Sequence, residues 1–438
     1  MTKVRNPWAW IPTLYFAEGL PYFIVNVISV TMFKRMGMSN GDLALYTSLL
    51  YLPWTIKPLW SPFVDIIRSK RWWILTMQFL MAVAILAVAF TLPHPTVAEI
   101  DSGNITVSPF IVTLIIFYIT AFASATHDIA ADGYYMLELD KYRQSLFVGL
   151  RNTFYRIGSV FGQGVIVVIA GSLETAFDDI PKAWSITLLI SAIIFGAISL
   201  YHSFFLPRPE EDMTRGRKTA SEIFIDFGKT FATFFRKKGV WLAIIFMLLY
   251  RLPEAFSVKM LTPFMLDPIE KGGLGLTTTQ SGLVYGTVGV IALLFGGILG
   301  GIYAAKKGLR KSIWPMAMSL ALPCSVYLYM AIVQPESIWQ VYACVAFDQF
   351  GYGFGFTAYM LYMMYFADGE FKTSHYAICT AFMAFSMMIP GMFAGYLQEA
   401  LGYVNFFWMV MICCLATVAV TYMVREKIKV GSINSPNK

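Results

Sequence analysis

Residues 207–239 read PRPEEDMTRGRKTASEIFIDFGKTFATFFRKKG, a stretch charged at both ends that holds eight of the chain's Lys and Arg residues. It is the longest polar interruption in a 438-residue sequence that is 57% hydrophobic and only 13% charged. A soluble globular protein carries about twice that share of charge, so the chain is expected to lie in a membrane. Apolar runs on the near side of the interruption cover 8–33, 42–61, 72–92, 108–138, 145–171 and 183–206. On the far side they cover 240–266, 278–304, 312–333, 338–366, 374–399 and 403–424. A membrane-spanning helix takes about 20 apolar residues, so twelve use nearly the whole hydrophobic supply and leave no large soluble domain. The fold class expected is therefore an all-α membrane protein of two six-helix halves, 1–206 and 240–424. A linker, 207–239, joins them, and a tail, 425–438, follows. Within the linker, Ser221 to Phe235 alternates at helical spacing, which fits an amphipathic helix on the membrane surface or a solvated linker helix.

Basic residues set the orientation. The N-terminus, the tail and every second connection carry 24 Lys and Arg, and the alternate connections carry four: Lys34, Arg35, Lys182 and Lys271. By the positive-inside rule both termini and the linker face the cytoplasm, and the 93–107 connection faces outward. The same distribution accounts for the net charge of +7 without a nucleic-acid partner, because the basic residues are scattered among short loops. Cys324, Cys344, Cys379, Cys413 and Cys414 all fall inside spans with no metal-ligand spacing, and read as packing residues. The first apolar run is too long for a signal-peptide core and lacks a cleavage site. No G-x-x-x-x-G-K-[ST] loop is present, which argues against transport driven by ATP.

The halves echo one another. Span 1 has LYFAEGLPYF and span 7 has LLYRLPEAF; span 4 has THDIAADGY and span 10 has FDQFGYGFG, so that Asp128 corresponds roughly to Asp348. The connections SPFVDIIRSKRW (61–72) and YAAKKGLRKSI (303–313) also match in kind. Parallel six-helix repeats are the plan of the major facilitator superfamily, whose solute sites lie near the midplane between the halves.

Ten charged residues fall inside the spans: Glu18, Lys57, Asp128, Asp132, Arg151, Arg156, Arg251, Glu254, Lys259 and Asp348. At ~2.5–3.5 kcal/mol each they would oppose insertion by about 25–35 kcal/mol if all faced lipid alone, so they face a wet cavity or one another. Asp128 and Asp132 share one helical face, extended by Tyr135. Two acids so placed repel, and burial disfavours charge on either, so the face is suited to taking up and releasing protons. Arg151 and Arg156 on span 5 are candidate partners, and interhelical ion pairing for packing alone is the competing reading. Glu18 and Glu254 each lie beside a proline (Pro21, Pro253) at which a helix can bend. Aromatic side chains near these charges, among them Tyr15, Tyr22, Trp54, Tyr134, Tyr155, Tyr250, Tyr352 and Tyr359, suit the faces and edges of sugar rings, though packing uses the same residues. Proton coupling is thus expected at Asp128, Asp132, Glu18, Glu254 and Asp348. Solute binding is expected at Tyr15, Tyr22, Trp54, Lys57, Arg151, Tyr155, Arg156, Tyr250, Arg251, Gln349 and Tyr352. Asp65, Arg68 and Arg71 form the expected cytoplasmic gate. His127 has no second histidine at ligand spacing, so no metal or other cofactor is expected; His94, His202 and His375 sit at loops or span ends and form no set with it.

TIKPLWSPFVDIIRSKRW, ASATHDIAADGY and NTFYRIGSVFGQG together resemble the AmpG-like branch of the major facilitator superfamily, which includes bacterial muropeptide permeases and the acetyl-CoA transporter of internal membranes. The resemblance implies a monomeric carrier of the bacterial inner membrane that takes N-acetylglucosaminyl-anhydro-muramyl peptides into the cytoplasm together with protons, and it points to Asp128 and Asp132 as the coupling residues. Another glycan or glycoconjugate is the alternative solute. A membrane-embedded transferase is the reading from a different class; it would require a compact catalytic set near one membrane face and no repeat.

Overall fold

The computed structural model describes residues 6–208, 220–369 and 371–428. Among them the chain is helical, with a single isolated bridge between Met38 and Ile105. Nine of the described helices are long and apolar enough to cross a membrane. The last, Ser374–Arg425, holds two spans, because Gly402 at φ 71° and ψ 165° breaks it in the left-handed half of backbone space that glycine alone enters freely. Span 2 is divided into Asn40–Leu49 and Leu52–Ile67, and span 10, Ile338–Ala367, is rich in glycine and tyrosine. With these the spans among the described residues come to twelve.

Two devices shape the spans that carry charge. Span 7 is two helices, Val240–Leu249 and Leu252–Leu266, and Pro253 sits in the first turn of the second. There its missing N–H costs nothing, because the first N–H groups of a helix have no partner in any case. Spans 1, 5 and 8 each contain a stretch of wider i→i+5 hydrogen bonding: Ile24–Ile28, Phe161–Ile166 and Gly282–Gly289.

The chain gathers into two compact units: one takes the residues up to Met38 and from Ile56 to Ile223, the other Ser39–Thr55 and the chain from Phe224 on. In the first, spans 1 and 5 approach closely along glycines. A Cβ on Gly19 would lie 3.0 Å from the Tyr155 carbonyl oxygen, and one on Gly158 would lie 3.1 Å from that of Phe16. Trp10, Tyr15, Ala130, Tyr134 and Phe147 form its buried cluster. In the second unit, spans 8, 9 and 10 close on one another in the same way. A Cβ on Gly353 would meet the Leu293 carbonyl oxygen at 2.1 Å, and one on Gly351 would meet that of Ser319 at 2.1 Å. Small residues at such seams let helix backbones touch, which is how helices gain contact where lipid supplies no hydrophobic drive. Large apolar side chains such as Phe79, Phe90, Trp241 and Trp339 point outward, as they do on a surface that meets hydrocarbon.

The linker contains the helix Ala220–Phe235. Its far end is docked in the second unit rather than solvated: Phe234 is buried against Phe366, His375 and Phe382. Lys237 Nζ donates to the carbonyl oxygens of Phe366 at 2.7 Å and Asp368 at 2.8 Å, closing the end of span 10.

Candidate functional site

Span 4, Ile111–Glu138, carries the two aspartates on one face, and each finds its own cation. Lys57, from the second piece of span 2, donates to Asp128 Oδ2. Arg151 Nη2 lies 2.6 Å from Asp132 Oδ1, close enough for an ion pair although off the hydrogen-bond direction. Glu18 of span 1 comes within side-chain hydrogen-bonding reach of Asp128, while its Oε2 has no partner among the described residues. Tyr15 lies over Arg151, with the guanidinium carbon 4.6 Å from the ring centroid, and its buried hydroxyl likewise has no partner among the described residues. Three carboxyl groups and two cations are thus packed together. The side chains of Asp128 and Asp132 are 19% and 35% accessible, so the cluster is not sealed within the packing.

The remaining candidates of the first unit lie around this cluster. Tyr155 is half-buried with its ring 5.9 Å from that of Phe23, which also meets the Tyr22 ring at 5.1 Å. Arg156 is half-buried, and no described carboxylate forms an ion pair with it. Of the two candidate partners on span 5, only Arg151 pairs with an aspartate among the described residues; Asp128 takes Lys57 instead.

In the second unit, Arg251 and Glu254 form a forked pair, Nε to Oε2 at 2.6 Å and Nη2 to Oε1 at 2.9 Å. Arg251 also donates to the Tyr352 hydroxyl at 3.0 Å and lies 4.8 Å over the Phe356 ring. Asp348 accepts from the Tyr327 hydroxyl and from Gln349 Nε2, so Gln349 serves Asp348. Tyr250 is fully buried, donates to the Gly355 carbonyl at 2.9 Å and stacks on Tyr359. That leaves it no edge for a solute and makes it a packing residue. Trp54 belongs to this unit and is half-buried.

The expected gate is only partly described. The Asp65 side chain lies outside the described residues. Arg68 is exposed with its guanidinium 6.0 Å from the Trp72 ring. Arg71 donates to the carbonyl oxygens of Ser203 at 2.7 Å and Leu206 at 3.3 Å, so it closes the end of span 6 inside its own unit.

Three arrangements escape the sequence pattern. His127 and His202 do form a set: Gln78 Nε2 meets His127 Nε2 at 3.0 Å, Gln78 Oε1 meets His202 Nδ1 at 3.0 Å, and His202 Nε2 meets Thr13 Oγ1 at 2.9 Å. This chain ties spans 1, 3, 4 and 6 behind Asp128, and only the relative rotation of four helices creates it. At the Asn40 end of span 2, Asn40 Nδ2 donates to Gln398 Oε1 at 2.7 Å and to Asp267 Oδ2 at 3.1 Å, and the Tyr403 hydroxyl donates to the same Asp267 oxygen at 2.6 Å. The third is Lys259, whose ammonium donates to Thr47 Oγ1 at 3.0 Å.

Charged pairs held within apolar helices suit a carrier, and the relatives of the chain decide the family. Residues 13–378 match the Major Facilitator Superfamily. The chain belongs to that superfamily. It is 24% identical to the anhydromuropeptide permease of Escherichia coli (strain K12) over 429 residues, covering 96% of this chain and 80% of that one. It is 23% identical to the putative transporter AmpG 4 of Rickettsia felis, covering 95% and 96% of the two chains. Among solved structures it is similar in fold to a D-xylose-proton symporter, with a TM-score of 0.73 at 12% identity and 95% and 96% coverage. A bacterial homologue of the lysosomal transporter Spinster gives a TM-score of 0.70 at 12% identity, with 98% of each chain covered. The protein is an integral membrane transporter and not an enzyme.

Proposed function

We propose that this superfamily member imports an anhydro-muropeptide, or a related amino-sugar solute, in symport with protons across the bacterial inner membrane, with both termini cytoplasmic. The observation that carries the coupling is the charge count around Asp128. Glu18, Asp128 and Asp132 present three carboxyl groups to two cations, Lys57 and Arg151. Two carboxyl groups in hydrogen-bonding reach of each other share a proton, since an ionised carboxylate only accepts. With that proton the cluster is neutral, and without it the net charge is −1. A cluster that alternates between these states carries one proton per cycle, and entry of that charge is worth ~2.3 kcal/mol per 100 mV of membrane potential. Glu254 and Asp348 are the acids of the other half, where Arg251 already neutralises Glu254. The solute assignment is supported by the AmpG-like relatives and by the aromatic side chains around the charges.

The test is uptake of a labelled N-acetylglucosaminyl-anhydro-muramyl peptide into proteoliposomes under an imposed proton gradient. Glu18→Gln, Asp128→Asn and Asp132→Asn should abolish gradient-driven accumulation while preserving solute exchange at equal concentrations. Accumulation in the Asp128→Asn and Asp132→Asn variants with the parent's dependence on external pH would reduce the cluster to structural ion pairing. Reporter fusions at residue 220 should read inside and at residue 100 outside; the reverse would overturn the orientation.

A further inference from the structure

Of the five cations inside the spans, three have a carboxylate partner: Lys57 with Asp128, Arg151 with Asp132 and Arg251 with Glu254. Arg156 is half-buried, where water can solvate it. Lys259 is different. It is buried, with 9% of its surface accessible, and no described carboxylate forms an ion pair with it. Among the described residues its ammonium makes one hydrogen bond, to Thr47 Oγ1, and it sits 5.7 Å from the centroid of the Tyr51 ring. Thr47 cannot act as a counter-charge: it is a neutral hydroxyl whose own proton goes to the Leu43 carbonyl at 2.6 Å. Next to Thr47, the buried Ser48 hydroxyl has no partner among the described residues. Both groups border Gly391, where a Cβ would lie 2.5 Å from Ser48 Oγ and 3.2 Å from Lys259 Cε. Glycine at 391 therefore makes room for a long charged side chain. All of these residues belong to the second unit.

A buried ammonium that spends one of its three donors on a neutral hydroxyl opposes stability unless an anion compensates it. Packing gives no reason for a lysine here, since a methionine of similar length fills the space without charge. We propose that Lys259 is the receptor for a carboxylate group of the transported solute, with the Ser48 hydroxyl and the Tyr51 ring beside it. The proposal rests on the reading of the protein as a solute importer and deepens it: the solute is an anion, and one ammonium balances a monoanionic carboxylate but not a phosphate dianion. The proposal also explains why this cation, unlike Lys57, Arg151 and Arg251, has no built-in partner among the described carboxylates. Its partner arrives with the cargo.

The experiment compares two forms of one probe, N-acetylglucosaminyl-anhydro-N-acetylmuramic acid and its methyl ester, binding to the detergent-purified full chain. The parent should bind the free acid at least tenfold more tightly than the ester. Lys259→Met should bind both forms alike, at the parent's affinity for the ester, and Lys259→Arg should keep a preference for the acid. Empty Lys259→Met should also unfold at a higher temperature than the parent, because it loses an uncompensated buried charge; a structural lysine would give the opposite sign. An acid-to-ester ratio in Lys259→Met equal to the parent's would overturn the proposal, as would destabilisation of that variant with equal loss of both forms. If the parent binds neither form, the muropeptide reading fails. Lys259 is then judged with lactate and acetate against lactamide and acetamide: thermal stabilisation by the two anions that disappears in Lys259→Met upholds the proposal, and no stabilisation, or stabilisation that persists, rejects it.

Discussion

Replacing Glu254 by Gln leaves Arg251 charged, nearly buried and without its forked partner. Both side chains are only 6% exposed, so water cannot take over the role of the carboxylate. Breaking such a pair from one side typically costs about 3–5 kcal/mol, because the surviving charge stays buried. Here the lower end applies: the guanidinium keeps its bond to the Tyr352 hydroxyl and its place over the Phe356 ring, and a cation over a desolvated aromatic face retains about 2 kcal/mol. Removing both charges should cost far less than removing one, since replacing a buried ion pair with neutral groups of similar volume is often close to neutral. With an unfolding entropy of about 2.1 cal/mol/K per residue, 1 kcal/mol corresponds to roughly 1 °C in a chain of this size. Glu254→Gln should therefore lower the apparent Tm of the detergent-purified protein by about 3 °C, measured at one fixed scan rate, and Arg251→Met/Glu254→Gln should recover most of that. If the double variant loses as much as the sum of the two single variants, the pair is not the unit argued here.

Gly353→Ala should cost more than any surface change, because its Cβ would meet the Leu293 carbonyl oxygen at 2.1 Å and the Gly297 nitrogen at 2.9 Å, both backbone atoms that cannot turn aside. Gly301→Ala, in the same glycine-rich region with nothing within 4 Å, should be neutral or slightly stabilising through helix propensity; a comparison of folded yield and Tm separates the two. Glu99, in the connection after span 3, closes a capping box in which Thr96 N donates to Oε2 at 2.7 Å, and its bonds to Thr96 hold the carboxyl below the usual carboxylate range. Because the folded value is depressed, the cap contributes fully above the ordinary glutamate value of ~4.3 and is lost as pH falls through the folded value. The protection of residues 96–103 against hydrogen exchange, relative to the intrinsic rate at each pH, should fall at the acid end of a pH series in the parent, and Glu99→Gln should flatten that pH dependence.

The parts of the site that were legible in the sequence are those set by spacing along one helix. Asp128 and Asp132 fall on one face because they are four residues apart, and the break at Arg251 is foreshadowed by Pro253. What spacing does not give is which side chain of another span reaches that face. Lys57 pairs with Asp128 while Arg156 pairs with no described carboxylate, and this depends on how spans 2 and 5 are rotated about their axes. The His127–Gln78–His202–Thr13 chain is hidden for the same reason, since its members lie up to 189 positions apart. Lys259 was visible as a charge in an apolar run, but its lack of a partner among the described carboxylates is a property of every helix around it. Tyr250 misled because a tyrosine beside charged residues looks the same in sequence whether its hydroxyl faces a cavity or a backbone carbonyl.

The wider-wound stretches in spans 1, 5 and 8 have a genetic consequence. An i→i+5 turn takes up more residues than an α-turn over a similar length of helix, so each stretch acts as a local insertion absorbed without breaking the span. The apolar face before it and the apolar face after it are out of phase in the sequence yet aligned in space. Loss of a single codon is tolerated differently along span 8. Within Gly282–Gly289 a one-residue deletion can be taken up by tightening the turn, with both flanking faces still directed as before. In Val290–Lys307 the same deletion turns everything beyond it by about 100°, carrying Gly296 and Gly300 off their seam with span 10.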